Sequence, residues 1–99
     1  MSEKYYEALG RYTHHLQVAL KLGNEFRSAA TELEHICKNI TSAFYPYSEN
    51  ALPPKTDSYK ILELSEKLAK LNDEIEKNIK EANLYAKEAN KRELERKDF

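Results

Sequence analysis

Stepping alternately four and three residues from Tyr5 lands on Tyr5, Leu9, Tyr12, Leu16, Ala19, Gly23, Phe26, Ala30, Leu33, Cys37, Ile40 and Phe44. Only Gly23 contributes no apolar side chain to that stripe. A 3.5-residue repeat sustained so long predicts one helix of the coiled-coil kind, over about residues 3–44. A second stripe runs through Ile61, Leu64, Leu68, Leu71, Ile75, Asn78, Ala82, Tyr85, Ala89 and Arg92. It predicts a second helix over about residues 58–97, with Asn78 as its one polar interruption before the charged end. The closing segment, Lys87 to Phe99, alternates charge sign from Arg92 onward and reads as a solvated helix end.

The stretch between the stripes, about residues 45–57, carries Pro46 and Pro53-Pro54. A proline pushes the residue before it out of helical geometry, so Pro46 should end the first helix, and Thr56, Asp57 or Ser58 should cap the second. Folding one stripe back on the other requires facing residues to have a constant number sum. A sum of 101 pairs Ile40 with Ile61, Cys37 with Leu64, Phe26 with Ile75, Gly23 with Asn78 and Ala19 with Ala82. Heptads alone permit slips by seven; the centring of this register between Asn50 and Ala51 favours it. The expected fold is all-α, a single domain over residues 1–99 forming a long antiparallel two-helix hairpin. The loop exceeds the length usual between bundle helices, leaving Tyr45, Tyr47 and Leu52 for contacts at its tip.

The first helix carries more apolar surface than a hairpin seam uses. One position before the main stripe run Ala8, His15, Leu22, Ala29, Ile36 and Ala43, whereas the matching flank of the second helix is Lys60, Lys67, Glu74, Glu81 and Glu88. An apolar arc three positions in seven wide belongs to a helix with neighbours on two sides. The expectation is that this flank meets a second copy, completing a four-helix bundle as a homodimer, or meets another protein. Gly23 opposite Asn78 forms an odd layer of the kind that fixes register in coiled coils.

Composition narrows the function. Sixteen Lys and Arg stand against 17 Asp and Glu, a formal charge of −1, which removes the usual electrostatic case for nucleic acid or an anionic membrane. One cysteine and no signal-like apolar segment point to a cytoplasmic protein. Seven tyrosines gather toward the two ends of the hairpin, Tyr5 and Tyr6 at one and Tyr45 and Tyr47 at the other, where a ring can be buried while its hydroxyl stays wet.

Little suggests chemistry. His14 and His15 have no carboxylate within a turn, and a base without an orienting acid is weak. Glu32 and His35 have the Glu-x-x-His spacing of di-metal bundles, but once only and on the face turned from the seam. Cys37 is expected in the seam as an inert apolar residue. Phosphate loops, zinc patterns and nucleophile elbows are absent from the sequence, so no cofactor, metal, small-molecule substrate or enzymatic activity is expected. The expected function is a protein–protein interaction module, a small adaptor or inhibitor of a larger protein. The alternatives are a membrane-surface helical scaffold and a nucleic-acid-associated regulator, both disfavoured by the charge balance.

Overall fold

The computed structural model describes residues 2–43 and 55–99, and side chains outside 40–57. Two helices, α1 (Glu3–Ala43) and α2 (Lys55–Ala86), pack antiparallel, followed by a short 3-10 turn, Arg96–Asp98. The chain measures 71 × 19 × 14 Å. Its accessible surface is 7570 Å², against about 5,800 Å² for a compact monomer of 11.6 kDa. An elongated hairpin of this mass has a narrow core, and small side chains dominate it. Ala8, Tyr12, Ala19, Ala29, Leu64, Leu71, Ile75, Ile79, Ala82, Ala86, Ala89 and Leu94 are all buried.

The hairpin forms as the stripes require, but one heptad away from the expected register. Cross-helix contacts join His15 to Asn78, Glu32 to Lys60 and Arg11 to the Tyr85 ring, number sums of 93, 92 and 96. These centre the register near 94 rather than 101. The reason lies in side-chain volume. A sum of 101 sets Ala19 beside Ala82 and Phe26 beside Ile75, small on small and large on large. A sum of 94 places Ala19 level with Ile75, Tyr12 with Ala82, Gly23 with Leu71 and Ala30 with Leu64, and alternation of that kind fills a core without voids or overlap. Ala19, Ile75 and Ala82 reach 0% exposure in this arrangement.

The slip displaces several expectations together. Cys37 now lies level with residue 57, at the very start of α2, and is exposed instead of facing Leu64. Asn78 pairs with His15, and Gly23 does not meet it: the nearest side chains to Gly23 from outside its own turn are Phe99 and Arg27. α2 begins at Lys55, directly after Pro53-Pro54, so Thr56, Asp57 and Ser58 lie in its first turn. A proline restricts the residue before it and not the one after, so helix can start immediately behind it. Pro46, Tyr45, Tyr47, Leu52 and the expected 45–54 part of the loop lie outside the described residues.

The largest departure is at the far end. The stripe predicts a second helix running to about residue 97, yet regular helix stops at Ala86. In the observed register Tyr5 lies level with Ala89 and α1 begins at Glu3, so helix beyond Asn90 has no α1 beside it to pack on. The chain turns there instead. Asn90 adopts a φ of 53°, Lys91 N–H donates to Ala86 O at 2.9 Å and Asn90 N–H to Lys87 O at 3.2 Å. That pair of bonds is a Schellman cap with asparagine at the left-handed position, a residue type that tolerates it. Residues 91–99 then run back along the hairpin as a strap.

Candidate interaction groove

The strap lies along a groove formed by one face of α1 and one face of α2. From α1 come Leu9, Tyr12, Thr13, Leu16 and Leu20, and further along Gly23 and Arg27. From α2 come Asn72 and Asn83, on a face one position past Leu71 and Ala82 of the seam. Leu94 is the strap's anchor at 6% exposure, joining the core cluster of Tyr12, Ile79, Ala86 and Ala89. Phe99 packs more loosely on the same cluster, its Cβ 3.4 Å from where a side chain on Gly23 would begin.

Polar side chains of the hairpin hold the strap by its backbone. Asn83 is bidentate: its Nδ2 donates to Leu94 O at 3.0 Å, and Leu94 N–H donates to its Oδ1 at 2.7 Å. Tyr12 Oη donates to Arg92 O at 2.9 Å, and an Arg27 Nη1 donates to Phe99 O. Arg96 Nε donates to Asn72 Oδ1 at 3.0 Å while its guanidinium covers the Phe26 ring at 5.0 Å. Buried backbone groups need such partners, because an unpaired one costs about 1–3 kcal/mol.

Within the strap, Arg92 grips both oxygens of Asp98 at 3.1 Å, and Glu95 N–H donates to Asp98 Oδ2 at 2.8 Å. The Arg92 guanidinium, and then the Glu95 N–H, hold the Asp98 carboxyl below its ordinary range. The same pairing raises Arg92. The segment that reads in sequence as a solvated helix end is therefore a closed, internally bonded turn. The signals for it were Asn90 at a helix-stop position and Leu94 as an apolar residue off the stripe.

Strap and α1 do not meet along their whole length. Between them remains a cleft of about 540 Å³, lined by Leu9, Thr13, Leu16 and Leu20 on one wall and Lys91, Arg92, Leu94, Asp98 and Phe99 on the other. With Tyr6, these α1 positions step by three and four residues, a heptad stripe of their own. Tyr6 is 62% and Leu20 43% exposed.

The flank singled out as a partner surface sits elsewhere. Ala8 and Ala29 are each 2% exposed within the chain itself and have no surface left for a second molecule. His15 reaches Asn78 Oδ1 with Nδ1 at 2.8 Å, while Asn78 Nδ2 donates to Glu74 O, and Leu22 and Ile36 are half-buried. The side chain of Ala43 lies outside the described residues. That flank faces α2, while the adjacent stripe lies on the strap side, where Leu9 and Leu16 line the cleft and Gly23 meets Phe99. At the open end Tyr5 is half-buried and meets Tyr6 edge to face at 5.3 Å.

Glu32 and His35 are both exposed, with Glu32 paired to Lys60 at 3.6 Å. Among the described residues no group of three or more His, Cys, Asp and Glu is placed to hold a metal ion, and no helix is long and apolar enough to cross a membrane. Compared with known proteins, the chain matches no family model, no curated protein and no solved structure, so its groove is read from its own residues alone.

Proposed function

We infer that this chain is a non-enzymatic protein–protein interaction module, a helical hairpin acting as a small adaptor or as an inhibitor of a larger protein. The observation that carries this reading is the cleft of about 540 Å³ beside the strap, leucine-rich on its α1 wall and charged at Lys91, Arg92 and Asp98 on its strap wall, with Tyr6 and Leu20 exposed on α1. Its α1 wall has heptad spacing, so its complement is an amphipathic segment with anchors three and four residues apart. Phe99 and Arg92 in the cleft, with Tyr6 exposed on α1, are residue types enriched at protein interfaces.

The test is a photo-crosslinking residue placed at Thr13, inside the cleft, and separately at Leu84, 71% exposed on the outer face of α2. A protein partner captured at position 13, lost on Leu9→Glu with Leu20→Glu and absent at position 84, supports the reading. Capture that is equal at both positions, or absent at position 13, refutes it.

A further inference from the structure

The contacts that hold the strap do not depend on its being joined to the α2 it lies on. Asn83, Tyr12 and Arg27 address carbonyl and amide groups of residues 92, 94 and 99, and Leu94 enters a hole between the helices. Any chain with the same residues, arriving in the same direction, makes the same bonds. What makes the occupant intramolecular is one hinge, Lys87 to Lys91. Asn90 there is the single non-glycine residue with positive φ among those described.

The hinge stands at the open end of the hairpin, where Ala89 is level with the beginning of α1. Converting Asn90 to ordinary negative φ unfolds the turn and directs residues 91–99 outward, along the α2 axis. The strap runs antiparallel to the helix it lies on. A receiving molecule must therefore approach end to end and antiparallel, its own strap crossing back.

We propose that a second copy of this chain is a natural occupant of the groove: two molecules exchange their straps across the open ends and form a long dimer. This goes beyond the reading of the cleft: an exchanged strap takes the place of the molecule's own, and the cleft beside it stays open in either form. Exchange preserves the Leu94, Asn83, Tyr12 and Phe99 contacts, so the balance between monomer and dimer is set by the hinge and by concentration. A turn that needs a left-handed residue favours the monomer, and any residue that resists that conformation favours exchange.

Three forms of the full chain test this: wild type, Asn90→Gly and Asn90→Ala. Alanine resists positive φ, and glycine resists the ordered open hinge; together the two effects separate these variants by roughly thirty-fold per hinge, and on the order of a thousand-fold for a dimer with two hinges. Light scattering over a concentration series should find Asn90→Gly monomeric and Asn90→Ala dimeric. Small-angle scattering should give that dimer a maximum dimension of about 140 Å, twice the 71 Å of one chain. Wild type refolded from denaturant at high concentration should trap the same long species. Adding Asn83→Ala to Asn90→Ala should weaken it, because straps then open in either form and open straps leave nothing to join the molecules.

An Asn90→Ala chain that is helical by circular dichroism yet monomeric at every concentration overturns the proposal. So does a dimer near 71 Å long that survives Asn83→Ala and is dissociated by Leu9→Glu with Leu20→Glu. That second outcome would keep the cleft as an interface and discard the exchange.

Discussion

Asn83 is the residue on which the strap depends most, and Asn83→Ala is the substitution that measures it. The side chain makes two bonds to one strap residue, 3.0 Å to Leu94 O and 2.7 Å from Leu94 N–H, at a half-buried site. At about 1 kcal/mol net for each bond, their loss weakens docking of the strap by about 2 kcal/mol. That is roughly a thirty-fold rise in the fraction of molecules with the strap open. The seam through Ala19, Ile75 and Ala82 does not touch these bonds, so the change is local and not global. Native-state hydrogen exchange by NMR reads it directly. The Leu94 amide, which also loses its own acceptor, should exchange at least about thirty-fold faster, while amides near Ala19 and Ile75 keep their protection. Unchanged exchange at Leu94 would refute the assignment of Asn83 as the clamp. Equal acceleration at Ile75 would refute the separation of strap from seam.

Other expectations follow from the same geometry. Asp98 has its carboxyl lowered below its ordinary value of 3.8 by Arg92, so the unfolded strap binds the extra proton. The closed turn that shapes the strap for docking is therefore fully supported above the ordinary carboxylate range and weakens as pH falls through the lower folded value. Strap protection followed from about pH 5 to about pH 2 should show this loss, and Asp98→Asn should remove the pH dependence while weakening docking at neutral pH. A methyl group added at Gly10 would meet nothing within 4 Å, so Gly10→Ala should stabilise α1 by about 0.8–1 kcal/mol, read as a rise of several degrees in Tm. His15 and Asn78 share a 2.8 Å bond, so the double-mutant cycle of His15→Ala and Asn78→Ala in urea unfolding should give a coupling of about 0.5–1.5 kcal/mol. Zero coupling would mean that the two side chains act separately.

The existence, type and antiparallel pairing of the two helices were legible in the sequence, because each rests on periodicity, and periodicity is a property of one chain segment at a time. Heptad stripes from Tyr5 and from Ile61 require two long helices with apolar faces, and prolines between them require an interruption. The same local logic placed Glu32 and His35 on an outward face, where they stand.

Register, strap and groove were decided only in three dimensions. A slip of seven leaves every stripe intact, so the heptads could not choose between sums of 101 and 94. Volume across the seam chose, setting Ala19 against Ile75 and Tyr12 against Ala82. The shorter register carries α2 past the start of α1 sooner, and a helix with no neighbour gains nothing from continuing. Residues 91–99, good helix formers for the most part, therefore reverse at Asn90 and bury Leu94 beside Tyr12 and Ile79. Local propensity favoured more helix, but the apolar surface left uncovered along Leu9, Leu16 and Gly23 outweighed it. Where that surface lay depended on where α2 sat, which no single segment of the sequence records.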